Sequence, residues 1–233
     1  MRVAIHQPNY LPWIGYFHKI ANVDKFVFFD DIQLTRGKSF STRVKIIING
    51  DESWLSVPVL GKSEKQLIKD VKVNNSINWQ KKHLKTIKLN YSKAKFFDHY
   101  FRDIENILMQ NSNFLIDYNI PLIEIISSKI GLKTQFLKSS ELMQNELDTT
   151  NKILEINALT KASVYYTGKG EGSKRFIRDE DFQNNDIKLE WQDFNPIEYN
   201  QLNTEQFVPY LSIIDLLFNE GPNTIKMLKT KNI

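Results

Sequence analysis

The first thirty or so residues constrain the fold more than any other stretch. RVAIH is a short apolar run, rich in β-branched residues, that ends abruptly at His6-Gln7-Pro8. That pattern reads as a buried strand followed by turn chemistry. Pro12 suits the first turn of a helix, where its missing N–H costs nothing. Trp13, Ile14, Phe17 and Ile20 recur behind it at helical spacing. KFVFFDDI then reads as a second strand, apolar on both faces and therefore central in a sheet. Strand, loop, helix and strand in this order predict the start of an α/β unit.

The rest of the chain fits that class. RVKIIING and SWLSVPVL flank Asn49-Gly50-Asp51, and an Asn-Gly pair is a strong hairpin signal. IKDVKV reads as a further strand. From Asn78 to about Ser128 the pattern is helical, in three segments broken near Lys93-Ala94 and at Ile120-Pro121. The third begins at Pro121 and ends at Gly131, the positions those residues prefer. TQFLKSS reads as a short strand, NKILEINALTKA as a helix, and ASVYYTG as a strand running into the glycine-rich GKGEG. DFQNNDIKLEWQDF is a turn followed by a strand. FVPYLSIIDLLFNEG is a last helix, capped by Gly221 and stopped by Pro222. The expectation is one α/β domain over 1–233, with a mixed sheet and a helical insertion at about 78–160.

Composition narrows the chemistry. With 41% hydrophobic and 12% aromatic residues the chain is able to bury a substantial core. It has no cysteine, which excludes disulfides, thiol nucleophiles and thiolate metal sites. No stretch approaches the ~18 apolar residues of a membrane helix. Arg2 is followed by only three apolar residues before His6, unlike a secretory leader. A soluble cytoplasmic protein is expected. The formal charge is +4, and WQKKHLKTIKLNYSKAK is strongly basic, without an acid between Trp79 and Lys95. Such a run is either a solvated helix face or a surface for phosphate; no DNA partner is expected.

In open α/β sheets, ligands bind beyond the carboxyl ends of strands, near helix N-termini. Three loops meet that description: HQPNYLPWIGY, FFDDIQLTRGKSF and TGKGEGSKRF. His6 is a candidate general base, because imidazole titrates near neutral pH, and Gln7 and Asn9 add polar groups beside it. A buried strand-end histidine is the plainer alternative. His6 and His18 lie twelve residues apart, which is no metal-binding spacing. Asp30 and Asp31 suit a hydroxyl, an amine or Mg²⁺, or else a structural cap. The glycines of Gly168-Lys169-Gly170-Glu171-Gly172 allow backbone N–H groups to approach phosphate. Lys169, Lys174 and Arg175 add charge there. The loop matches neither common nucleotide-binding glycine motif. No G-x-S-x-G elbow supports a serine hydrolase, and Ser212 falls inside a predicted helix.

HQPNYLPWIGYFHKI resembles the N-terminal signature of the WbqC-like family, bacterial proteins found among genes for surface polysaccharide. His6, Gln7, Pro8, Tyr10, Leu11, Pro12, Trp13, Gly15, Tyr16 and Phe17 match it. The resemblance continues through Asp30-x-x-Gln33 and Arg43, SWLSVPV and YYTGKGEG, and ends in FVPYLSIIDLLFNEG. It covers nearly the whole chain. One departure follows the glycine loop, where the family often has an aromatic–leucine pair and this chain has Arg175-Phe176-Ile177.

The resemblance implies a role in O-antigen or other glycan biosynthesis, with glycine (aminoacyl) transfer to a sugar among the suggested activities. The expected partners are a nucleotide-activated sugar and an acyl or aminoacyl donor. In that chemistry His6 takes the proton of the attacking amine and Asp30 orients the acceptor. Arg43, Lys169 and Lys174 hold a diphosphate, with Gly168 and Gly170 beside it. Tyr10, Trp13 and Tyr16 offer stacking faces, and Gln7, Asn9 and Gln33 offer polar contacts. A looser analogy links the proline-containing loop to nucleotidylyltransferases and class I tRNA synthetases. Trp13-Ile14-Gly15-Tyr16 stands where those enzymes place His-x-Gly-His, so both histidines are replaced. The sequence requires no cofactor, and the analogy leaves ATP and Mg²⁺ open. Two alternatives stand beside acyl transfer: a metal-dependent glycosyltransferase using Asp30 or Asp31, and a non-catalytic glycan-precursor binding protein.

Overall fold

A computed structural model describes residues 1–35, 37, 39–61, 66–143 and 147–229. Arg36 and Lys38, inside the second of the three loops, lie outside the described residues. The first part of the chain runs β1 (Arg2–His6), α1 (Ile14–Ala21), β2 (Lys25–Phe28), β3 (Arg43–Ile48) and β4 (Asp51–Ser56). Three helices follow: α2 (Trp79–Tyr91), α3 (Phe97–Leu108) and α4 (Ile116–Lys129). Then come β5 (Gln135–Lys138), α5 (Ser139–Leu142), α6 (Thr149–Leu159) and β6 (Val164–Thr167). The described chain ends with α7 (Glu171–Lys174), α8 (Asp179–Gln183), β7 (Lys188–Trp191), α9 (Ile213–Glu220) and α10 (Thr224–Lys229).

Five strands form one sheet in the order β5-β2-β1-β6-β7. Every pairing in it is parallel, with His6 opposite Phe28 and Thr167 opposite Trp191. Alternation along each strand divides the side chains between two layers. Ala4, Phe26, Phe28 and Tyr166 pack on the face covered by α1 and the later helices. Val3, Ile5, Val27, Phe29 and Tyr165 pack with Ile153, Ile156 and Phe182 on the other. From β1 the chain steps to β2 on one side, while β6 and β7 build outward on the other. The sheet order therefore reverses between β1 and β6, and such a reversal leaves a crevice at the carboxyl ends of the two strands.

The Asn-Gly hairpin forms as expected, with Asn49 and Gly50 at φ 54° and 92°, the left-handed pair that a two-residue turn demands. Strands β3 and β4 pair only with each other, so this antiparallel ribbon stands apart from the parallel sheet. Other elements differ from the sequence reading. IKDVKV is a short 3₁₀ turn at 68–70 followed by isolated bridges rather than a strand. The second helical break falls at 109–115, and Pro121 sits inside α4. Proline there removes the N–H that would reach the Asp117 carbonyl and crowds that carbonyl with its ring. Within the stretch read as an insertion, β5 pairs with β2, so the helices standing off the sheet end at Lys129. Ser212 is the N-cap of α9, its hydroxyl accepting from the Ile214 N–H at 3.4 Å, so the last helix starts later than expected. The chain continues past Pro222 into α10.

The basic run forms α2 with an amphipathic division. His83, Leu84, Ile87 and Tyr91 are buried, while Lys81, Lys82, Lys85 and Lys88 face solvent. Among the described residues, no helix is long and apolar enough to cross a membrane.

Candidate functional site

The crevice between β1 and β6 opens into a cavity of about 720 Å³, within the usual range for small-molecule sites. It collects residues from several chain segments. His6 comes from the end of β1, Gln7, Asn9 and Trp13 from the β1–α1 loop, Gly168 to Ser173 from the glycine loop, and Gln192 to Phe194 from the end of β7. Phe29, Ile153, Phe176 and Ile177 form an apolar wall. Phe176 and Ile177 are part of the triplet where this chain departs from the family pattern, so that departure falls on the wall.

The β1–α1 loop is held rigidly. Ser212 donates to the Leu11 carbonyl at 2.6 Å, and the Ile14 N–H donates to the Leu211 carbonyl at 3.1 Å. Asn119 donates to the carbonyls of Pro8 and Ser41 at 2.9 and 2.8 Å. The Trp13 indole crowds Gly15, where a Cβ would come within 2.1 Å of the ring. That close approach explains the glycine: any other residue would displace the indole that lines the cavity.

At the end of β1, His6 Nδ1 lies 3.1 Å from the Gln7 carbonyl. A carbonyl only accepts, so Nδ1 carries the proton and Nε2 keeps the lone pair. The Tyr16 ring meets the imidazole edge-on at 4.8 Å, and its hydroxyl donates to the same carbonyl at 2.9 Å. Burial, and then the nearby charge of Lys19, lower the His6 pKa to about 3. His6 is therefore neutral at physiological pH. Burial likewise lowers His18 and His83 to about 4.

Of the other residues singled out from sequence, Gln7, Asn9, Trp13, Gly168, Lys169 and Gly170 line the cavity with His6. Ser41 donates to Asn9 Oδ1 at 3.3 Å, fixing the amide. Lys169 is paired with Asp193 at 2.7 Å. The remaining residues lie elsewhere, each for a physical reason. Asp30 is fully buried, and its carboxylate accepts from the Ser140 N–H at 3.0 Å and from the hydroxyls of Ser139 and Ser140 at 3.0 and 2.7 Å. It therefore caps α5 instead of facing a substrate. Asp31 pairs with Lys152 at 2.8 Å. Tyr10 is in the core, bonded to His83 Nδ1 at 2.9 Å. Tyr16 is buried behind His6 and offers no stacking face. Gln33 is exposed in a bridge to Leu67. Arg43 lies over the Trp54 ring at 3.8 Å. Lys174 points to solvent, with Glu171 at 4.0 Å.

Sequence reading missed Lys19 and Gln192. Gln192 donates to the Gly15 carbonyl at 2.7 Å and to His18 Nδ1 at 3.0 Å, joining β7 to α1. Lys19 extends from α1 into the cavity and is only 4% exposed. Burial lowers its pKa to about 8.

The WbqC-like protein family model matches residues 7–227, from the loop after His6 to α10. The chain belongs to the WbqC-like protein family. It is similar to the uncharacterized protein Rv1507c of Mycobacterium tuberculosis, with 30% identity over 225 residues covering 94% of each chain. No solved structure matches the chain, so the nucleotidylyltransferase-like analogy gains nothing from known folds. In this WbqC-like chain the N-terminal signature divides between cavity lining and support. His6, Gln7 and Trp13 reach the cavity, while Tyr10, Leu11, Tyr16 and Phe17 are buried around it.

Proposed function

We propose that the protein is a cytoplasmic transferase of surface-polysaccharide biosynthesis that acylates or aminoacylates the amine of a nucleotide-linked sugar. The observation that carries this reading is the β1/β6 cavity, which presents a neutral imidazole beside polar amides, an aromatic face and an apolar wall. In the reaction the sugar amine attacks the carbonyl carbon of an activated acyl or aminoacyl donor. A C–N bond forms, and the bond to the donor's leaving group breaks with its electron pair. His6 Nε2 accepts the amine proton and passes it to the leaving group, the general-base role open to its neutral form. Trp13 provides the stacking surface, while Gln7 and Asn9 orient the sugar. Metal-dependent glycosyl transfer through Asp30 loses its support, because that carboxylate is occupied by Ser139 and Ser140.

The test is incubation with a panel of nucleoside-diphosphate amino sugars and acyl or aminoacyl donors, read by mass spectrometry. An N-acylated sugar from wild type, reduced at least 100-fold by His6→Ala, is expected. Undiminished product from His6→Ala contradicts the base assignment. Thermal stabilisation by the nucleotide sugar with no product from any donor favours a binding protein instead.

A further inference from the structure

Lys19 has no part in the acyl transfer, yet its position is unusual. It is the sixth residue of α1, a helix buried from Ile14 to Ile20. A Cβ built on Gly168 would lie 3.4 Å from Lys19 Nζ, in van der Waals contact, so the amine lies beside the first glycine of the loop after β6. The amine thus sits between the ends of β1 and β6, on the cavity floor. Among the described residues it has no hydrogen bond and no carboxylate within ion-pair distance. The other charged residues lining the cavity, among those described, are Lys169, Glu171 and Asp193, and Lys169 is paired with Asp193.

A buried ammonium without a counter-charge costs free energy that an anionic partner returns. Proteins retain such groups where a ligand supplies the opposite charge. We propose that Lys19 is the anion-binding residue of the cavity, pairing with a phosphate or carboxylate oxygen of the ligand between the ends of β1 and β6. The assignment stands whether or not the cavity carries out acyl transfer. It also bears on His6, since an anion on Lys19 cancels the neighbouring charge that opposes imidazole protonation. Ligand binding then makes His6 a stronger base than it is in the empty site.

Direct binding tests this without turnover. Calorimetry with inorganic pyrophosphate and, separately, with succinate distinguishes the two sources of oxyanion. Wild type is expected to bind one of them, with Lys19→Met at least 10-fold weaker and Lys81→Met, on the solvent face of α2, within about 3-fold of wild type. A second measurement uses wild type alone: reductive methylation read by peptide mass spectrometry. The bound anion is expected to slow modification of Lys19 at least 5-fold. Failure of wild type to bind either anion overturns the proposal. So does equal affinity in Lys19→Met, or unchanged labelling of Lys19 when the anion is bound.

Discussion

A lysine amine on a cavity floor, with no acid beside it among the described residues, carries a measurable cost to the ligand-free protein. Its pKa falls from 10.5 to about 8 because burial disfavours the charged form, which corresponds to about 3 kcal/mol. Below pH 8 both native and unfolded chains hold the proton, and the native state bears the whole penalty. Between pH 8 and 10.5 the unfolded chain holds more protons, so native stability rises with pH across that window. Lys19→Met is therefore expected to raise ligand-free stability by about 3 kcal/mol at pH 7, with the gain fading toward pH 10.5. Urea titrations of both proteins at the two pH values check this. Equal stability at pH 7 would mean that the amine is not desolvated. Function and stability then oppose each other at one residue, as they often do at binding sites. A signal for Lys19 is present in the sequence: IGYFHKIA sets His18 and Lys19 among apolar and small residues, and the helix is buried from Ile14 to Ile20, Lys19 included. What the sequence lacks is the direction in which the side chain leaves the helix, which only packing against β6 decides.

At the scale of elements, Asp30 and Asp31 are joints. They stand just past β2 and tie the return of the chain to the sheet, Asp30 through the first turn of α5 and Asp31 through Lys152 of α6. Removing one acceptor leaves buried donors unpaired, at roughly 1–3 kcal/mol. Asp30→Ala is expected to lose about that much in chemical denaturation while binding anion within 3-fold of wild type. Lost binding with unchanged stability would instead make Asp30 part of the site. The first strand, the first helix and the hairpin were legible because each is set by its own residues: β-branched runs, helical spacing and an Asn-Gly turn. IKDVKV was not, because its backbone is captured by bridges to Val59 and Phe114 that are distant in sequence. Pro121 misled for a related reason. Packing of Tyr118, Ile120, Leu122 and Ile123 keeps α4 helical through a residue that would break an isolated helix.

For the whole molecule, strand order creates the site. The β1–α1–β2 start could be read from the sequence, and it placed His6, Gln7, Asn9 and Trp13 at a strand end. The glycine loop could be read as well. That both loops border one cavity depends on β6 lying beside β1 and β5 lying outside β2, and no local pattern encodes that order.

The central claim is that the ligand enters between the ends of β1 and β6. Amide hydrogen exchange on the full chain, with and without a nucleoside-diphosphate amino sugar, tests it most directly. Slowed exchange is expected at residues 6–9 and 168–173, with the lysine face of α2 unchanged. Slowing confined to α2, or anywhere that leaves both loops unaffected, would contradict it.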